Sequence, residues 1–250
     1  MRLKLSLLFV LLCSFLYSQK MDFNYILTYH TTINTHIEEN YENILFLNNV
    51  IALYTWKTIG NTEIQSTSSG GMTRAEHKKN GEYNFTDTKL KSIISLSNIS
   101  STERPYVKQD LPEINWVITN ETKVISNMQC TKAVGVYGDR TFTAWFSSDF
   151  PTHFGPWKLY GLPGVVVEAY DNNREIQFNL RSIKKNDKPV SVDLKNKKYI
   201  TLEQFYQREI NYPYELLKRM QSTATRGSSI SISGVNYNFL EKDFEYLTKK

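Results

Sequence analysis

The sequence predicts a mainly β protein with a minor α component, built on a curved antiparallel sheet or half-barrel with one or two C-terminal helices. Short segments alternate apolar and polar residues with period two, most clearly at residues 176–181. This alternation is typical of strands that have one covered face, as in antiparallel sheets. The chain is also rich in aromatic residues, with 16 Tyr, 13 Phe and 4 Trp, which strands favour.

The other strand segments follow in order along the chain. The clearest of them are residues 25–29, 50–56, 116–119, 123–125 and 140–146. A turn at Asn48-Asn49 precedes the second, and Asn120-Glu121 is predicted to be the turn of a hairpin. Val165, Val166 and Val167 form the one run that looks buried on both sides.

Only residues 201–221 have the spacing of an amphipathic helix. Thr201 is predicted to cap this helix, and Pro213 is predicted to split it into two pieces. Residues 60–80 are polar, rich in Gly, Ser and Thr, and without a period, which predicts a long loop. Because no break in composition marks a boundary, we expect residues 19–250 to form a single β-rich domain.

Residues 1–18 are predicted to be a cleaved secretory signal. Arg2 and Lys4 precede an apolar stretch at residues 5–12 that is too short to span a bilayer, and a more polar end follows. We therefore expect an exported protein of the periplasm or cell envelope, with no transmembrane segment after cleavage. Acylation of Cys13 is the alternative, which the large Leu12 before it disfavours.

Composition argues against several classes of function. The net charge of +5 is spread without a long basic run, so we expect no nucleic-acid partner. After signal cleavage Cys130 is the remaining cysteine, which excludes an intramolecular disulfide and a cysteine-based zinc site. No metal or cofactor is expected, because the histidines have no ligand spacing; they are His30, His36, His77 and His153.

Glycine and proline are concentrated in residues 149–170, which read DFPTHFGPWKLYGLPGVVVEAY. Pro163-Gly164 suits the central positions of a type II turn, which requires positive φ at the second residue. The bulky side chains between the turns are predicted to fold inward as a plug of the core. A structural role is predicted for Gly155, Pro156, Gly161, Pro163 and Gly164, and an inward position for Trp157, Leu159, Tyr160 and Leu162.

An ordered series of short motifs surrounds this segment. It consists of Trp116, residues 121–125, 130–133 and 144–147, Pro151, residues 155–160 and the GLPG of residues 161–164. Over residues 115–171 this series resembles the GLPGLI family of exported Bacteroidetes proteins, with Val-Val in place of the family's Leu-Ile. The resemblance implies an extracytoplasmic protein of no established biochemical activity, and it assigns no catalytic or cofactor residue. We also expect similarity to the half-barrel of periplasmic lipoprotein carriers.

The protein is not expected to be an enzyme, since no catalytic motif is found. Cys130 and His153 are the conceivable thiol–imidazole pair, but they lie on separate segments, and a buried cysteine usually acts as a small hydrophobe. The acids near the Gly/Pro segment are interpreted as solvated or paired with Arg140, Lys158 or Arg174. These acids are Asp149, Glu168, Asp171 and Glu175.

Two functions are therefore considered. The first is a non-enzymatic exported binding or chaperone-like module that encloses an apolar ligand, such as a lipid, a lipoprotein acyl chain or a peptide, against aromatic strand faces. Its ligand-contacting residues would be Trp145, Trp157, Tyr160 and Leu162. The alternative is an envelope interaction protein that docks a membrane complex through a sheet edge or the Gly/Pro corner, without a small ligand. A hydrolase that uses Cys130 is the third class.

Overall fold

The computed structural model describes residues 19–35, 38–59, 81–100, 103–224, 231 and 240–248. It confirms a mainly β fold with a large, open sheet and one C-terminal α-helix. The predicted signal at residues 1–18 and the predicted loop at residues 60–80 lie outside the described residues, as do His36 and His77.

The strands of the described chain form a twelve-stranded sheet and a separate two-stranded ribbon. The ribbon pairs β1 with β13, and the sheet has the order β14-β7-β6-β5-β4-β3-β2-β12-β11-β10-β9-β8. The bounds are β1 Gln19–Met21, β2 Tyr25–Asn34, β3 Glu38–Leu47, β4 Ile51–Thr58, β5 Tyr83–Asp87, β6 Ser92–Leu96, β7 Tyr106–Asp110, β8 Val117–Ile125, β9 Met128–Tyr137, β10 Arg140–Ser147, β11 Val165–Asp171, β12 Ile176–Lys185, β13 Val190–Val192 and β14 Tyr199–Ile200.

The large sheet consists of two antiparallel meanders. Strands β2 to β7 lie side by side in chain order, and strands β8 to β12 do the same. The meanders meet where β2 pairs with β12, from Ile33 opposite Ile176 to Tyr25 opposite Lys185. We call this β2–β12 ladder the seam. The short strand β14 adds to β7 in parallel at the far edge.

The connection between β7 and β8 shows that the sheet is strongly curved. In a flat sheet the ten strand spacings between them would cover roughly 48 Å. The chain from Asp110 to Val117 can span at most about 25 Å. The two sides of the sheet must therefore approach each other, and Gln109 Nε2 of β7 donates a hydrogen bond of 3.3 Å to Tyr137 Oη of β9. The result is the predicted half-barrel, whose edge strands β8 and β14 do not pair.

One α-helix, α1, spans Leu202–Thr223 after β14. The predicted cap is confirmed, because the Thr201 side chain accepts from the Gln204 N–H and the Gln204 side chain accepts from the Thr201 N–H. The predicted split at Pro213 is wrong, and the helix continues through it. A proline removes one N–H from the helical ladder, while the bonds on both sides of it remain.

The predicted hairpin turn at Asn120-Glu121 is also wrong. Both residues lie within β8, at an irregularity in its pairing with β9 between Ile118 and Thr122. The chain turns at Ser126-Asn127 instead, where φ is 50° and 63°. Two consecutive positive φ values are the geometry of a type I′ turn, which matches the twist of the two strands that it joins.

Candidate functional site

The Gly/Pro corner, residues 155–164, fills the inside of the half-barrel. Trp157, Leu159 and Leu162 are only 5%, 2% and 3% exposed and belong to the largest cluster of buried apolar side chains. The Trp157 ring lies 5.3 Å from the ring of Tyr137 and 6.2 Å from that of Phe142, measured between centroids. These side chains do fold inward, so the corner is part of the core.

Two glycines of the corner, Gly155 and Gly164, are required by close approach to backbone atoms. A Cβ at Gly155 would lie 2.2 Å from the carbonyl oxygen of Leu159, nearer than real atoms approach. The predicted type II turn at Pro163-Gly164 is wrong, because Gly164 does not have positive φ. Positive φ occurs at Trp157 and Gly161, with values of 55° and 106°. Only glycine adopts this conformation at no steric cost, so Trp157 holds a strained backbone.

The four predicted ligand-contacting residues do not meet at one pocket. Trp145 alternates with the inward-facing Ala144 and therefore lies on the other face of β10, where its side chain is still only 8% exposed. There the Lys123 ammonium lies 4.3 Å above the Trp145 ring and forms a 2.8 Å ion pair with Glu168. Tyr160 is half-buried and its carbonyl oxygen accepts from Trp116 Nε1 at 2.9 Å. A ligand-binding role for these four residues stays a prediction.

Little space remains beneath the corner. The cavity between the corner and strands β3 to β6 measures about 10 Å³ and is lined by Leu45, Tyr54, Trp157 and Tyr160 among others. A single water needs about 10–15 Å³ on this measure. The inner face of the sheet is therefore covered by the protein's own aromatic and aliphatic side chains at this place.

A second, polar cavity lies where the two sides of the sheet approach each other. It measures about 50 Å³, and its lining includes Trp56, Glu82, Asn84, Trp157 and Tyr206. At its base Lys158 and Glu241, 5% and 3% exposed, form an ion pair. Lys158 belongs to the corner and Glu241 to the segment 240–248, which ends in the 3-10 helix Lys242–Thr248.

The ion pair is surrounded by hydrogen bonds. Lys158 Nζ also donates to Gln109 Oε1 at 2.7 Å. Tyr137 Oη donates to Glu241 Oε1 at 2.8 Å, and Tyr206 Oη donates to Glu241 Oε2. Burial raises the pKa of Glu241, but Lys158 and the two phenols outweigh burial and hold the pKa below its usual value. Glu241 is therefore a carboxylate at neutral pH.

A second ionic cluster attaches segment 240–248 to the sheet. The buried Arg140 guanidinium contacts Asp171 at 2.7 Å, Glu175 at 2.6 Å and the carbonyl oxygen of Leu240 at 2.8 Å. Lys242 Nζ lies 3.0 Å from Glu175. The prediction that Arg140 pairs with acids near the Gly/Pro segment is confirmed. For Lys158, the partner proved to be Glu241, which the sequence did not suggest.

Cys130 and His153 have different hydrogen-bond partners, and the Cys130 thiol donates to the Met128 carbonyl oxygen at 3.4 Å. Cys130 is free and buried, as predicted, and burial raises the pKa of its thiol. His153 Nδ1 lies 3.1 Å from the Leu162 carbonyl oxygen. Within the described part of the chain no group of His, Cys, Asp and Glu is arranged to hold a metal ion. Over the same ranges, no helix has the length and apolar character needed to cross a membrane.

The two edges of the large sheet differ. Strand β14 has only two residues and leads directly into the cap of α1. Strand β8 has nine residues and pairs, within the described chain, with β9 alone. Val117 and Val124 on β8 are 66% and 67% exposed. An irregularity between Ile118 and Thr122 restricts regular pairing to residues 122–125, and this part of the edge presents backbone groups to which another strand can add.

Comparison with known proteins shows the fold class and no family. No protein-family model matches the sequence, and no curated protein matches it. The chain is similar in structure to PNGF-II in its C2 and P21 crystal forms, with TM-scores of 0.51 and 0.50, 17% sequence identity, and coverage of 75% of this chain and 33% of that one. An uncharacterized conserved protein from Thermus thermophilus aligns with a TM-score of 0.38 and 6% identity, over 72% of this chain and 91% of that chain.

The protein is thus a β-rich half-barrel whose concave side is filled by its own corner. The chain spans about a third of the length of the PNGF-II structures it matches. A fold of this kind therefore occurs there as one portion of a longer polypeptide.

Proposed function

We propose that the protein is an exported, non-enzymatic binding module of the cell envelope, which receives an extended segment of a partner protein at the open edge of β8. The export part of the proposal rests on the signal pattern of residues 1–18. It also rests on the resemblance of residues 115–171 to the GLPGLI family. The docking part rests on the exposed edge of β8.

The edge of β8 offers backbone hydrogen-bonding groups together with apolar side chains. An extended peptide that adds to a sheet edge gains main-chain hydrogen bonds, and side-chain contacts on alternate residues give specificity. Residues 122–125 pair regularly with β9 and form the uninterrupted part of this edge. An apolar residue of the partner opposite Val124 would cover a side chain that is now 67% exposed. Such cross-strand pairs contribute roughly 0.2–1 kcal/mol each.

The other two modes of binding have less support. The Gly/Pro corner buries its bulky side chains and exposes mainly Gly161 and Pro163, so it offers little apolar surface to a docking partner. The space beneath it, about 10 Å³, is far smaller than an acyl chain or a peptide side chain requires. The polar cavity beside Lys158 is larger, but its charged base disfavours an apolar ligand.

Photo-crosslinking tests the docking proposal. A photoreactive amino acid placed at Val124 should give adducts with an envelope protein, and the crosslinked peptide should map to one contiguous, extended segment. The same group at Leu90, which is 72% exposed on the turn between β5 and β6, is the matched control. Equal labelling from positions 124 and 90 would contradict the proposal.

A further inference from the structure

Three donors from separate parts of the fold converge on a single carboxylate. Lys158 comes from the corner, Tyr137 from the end of β9 and Tyr206 from the first half of α1. All three donate to the oxygens of Glu241. Charge-assisted hydrogen bonds of this kind are about twice as strong as neutral ones. The arrangement has the composition of a carboxylate receptor.

Two of the three donors, Lys158 and Tyr137, are also held by contacts outside segment 240–248. Trp157, next to Lys158, is packed between aromatic rings with its backbone at φ 55°. Gln109 holds Lys158 Nζ at 2.7 Å and lies 3.3 Å from Tyr137 Oη. Strain that packing maintains is often associated with a binding site. The ammonium and at least one phenol would therefore remain in place around a different carboxylate.

Glu241 itself is carried by a segment that belongs to neither sheet. The backbone of Lys242 donates to the Gly138 carbonyl oxygen at 2.7 Å, and the Leu240 carbonyl oxygen accepts from the Arg140 side chain. Segment 240–248 adds no strand to a β ladder, and the buried side chains of Leu240 and Leu247 anchor it. Beside the carboxylate lies the polar cavity of about 50 Å³, whose lining includes Ser95 and Asn98 as well as the acids Glu82 and Glu209.

We propose that Lys158, Tyr137 and Tyr206 form a carboxylate-binding site that Glu241 occupies in cis, and that the carboxylate of a small organic acid or of a peptide competes with segment 240–248 for it. The driving force is the buried ammonium of Lys158, which is strongly destabilising when it has no anion beside it. Glu241 is tethered and acts at a high effective concentration, so an external carboxylate must also gain contacts in the cavity.

Chemical rescue is the first test. The variant Glu241→Ala removes the internal carboxylate, and acetate is the probe. At constant ionic strength, replacing chloride by acetate should raise the melting temperature of Glu241→Ala in a saturable manner, by about 2–4 °C or more. The double variant Lys158→Met/Glu241→Ala should show no such rise.

Identical melting temperatures of Glu241→Ala in acetate and chloride would overturn the proposal. If Glu241→Ala does not fold in chloride, the yield of refolded protein in acetate and in chloride replaces the melting temperature, and equal yields would overturn the proposal.

Competition in the wild-type chain is the second test. Hydrogen exchange of the amides of segment 240–248 should become at least about twofold faster in acetate than in chloride, since an open segment loses its protection. The competing carboxylate could belong to a peptide or to a small free acid. To distinguish the two, a short peptide with a free C-terminal carboxylate is compared with the same peptide carrying a C-terminal amide. An effect of the free peptide alone identifies a peptide ligand, and an effect of acetate alone identifies a small acid. Unchanged exchange with all probes would overturn the competition.

Discussion

Gly164 lies directly against the backbone of Ser147, so that a Cβ at position 164 would come within 2.2 Å of the Ser147 carbonyl oxygen. Ser147 is the last residue of β10, and it pairs with Val165, the first residue of β11. The contact therefore connects the end of the Gly/Pro corner to the start of the next strand. Residue 164 is therefore a glycine because there is no room for a side chain, although its φ is not positive.

The substitution Gly164→Ala should lower the free energy of unfolding by about 1–3 kcal/mol or more, because a backbone atom has to move to admit the methyl group. Urea denaturation monitored by tryptophan fluorescence measures this change. Pro163→Ala is the matched control, since Pro163 is exposed and adjacent. Equal stability of Gly164→Ala and the control would show that the corner adapts more readily than the contact suggests.

Replacement of Arg140 by leucine should destabilise the fold by about 3–5 kcal/mol, because it leaves the buried Asp171 carboxylate without its cation. Arg140 and Asp171 are almost fully buried, whereas the side chains of Lys132 and Glu121 are 25% and 59% exposed. Lys132→Leu should therefore change stability by less than about 1 kcal/mol. Equilibrium unfolding of both variants gives the comparison, and similar losses in the two would contradict a special role for the buried pair.

Acid should weaken the attachment of segment 240–248. Burial raises the pKa of Glu175, but hydrogen bonds from Arg140 and Lys242 outweigh burial and lower the pKa from 4.5 to about 2. Because the folded-state pKa is depressed, the stabilisation is present above pH 4.5 and is lost as the pH falls through about 2. Unfolding measured between pH 5 and pH 2 should show a steeper loss for the wild type than for Glu175→Gln. Parallel curves would exclude this linkage.

The thiol of Cys130 should react slowly in the native protein. Burial raises the pKa of this thiol, and the thiolate is the reactive form. A thiol reagent such as dithionitrobenzoate should label the chain starting at residue 19 only slowly in buffer and rapidly in urea. Cys130→Ala provides the blank. Rapid labelling in buffer, at the rate seen in urea, would show that this part of β9 opens in the native state.

Local patterns predicted the parts of the fold that depend on local physics. Period-two alternation located strands such as β12, and the residues around Thr201 predicted the cap of α1, because both signals act within a few residues. Turns were predicted less well. Asn120-Glu121 and Pro163-Gly164 have turn composition, yet the pairing of β8 with β9 and the contact of Gly164 with Ser147 determine their conformations.

The polar cluster could not be predicted from sequence. Lys158 and Glu241 are 83 residues apart, and the curvature of the whole sheet brings them together. No spacing rule connects a lysine in a Gly/Pro segment with a glutamate near a 3-10 helix. The inward position of Trp157 could be predicted, because bulky side chains in a rigid loop tend to be buried. Trp145 lies on the opposite face of β10 from Ala144, and the alternation of residues 140–146 along the strand was enough to predict this.

The seam has a consequence for the order in which the protein folds. Each meander pairs strands that are adjacent in the chain, with connections of at most 24 residues (residues 59–82, between β4 and β5), so its ladders close comparatively short loops and can form early. The seam joins Ile33 to Ile176 and must close a much longer loop, which costs more chain entropy. We therefore expect the two meanders to form separately and the β2–β12 ladder between them to form late. Substitutions within the seam should mainly accelerate unfolding, whereas substitutions in the hairpins should mainly slow folding.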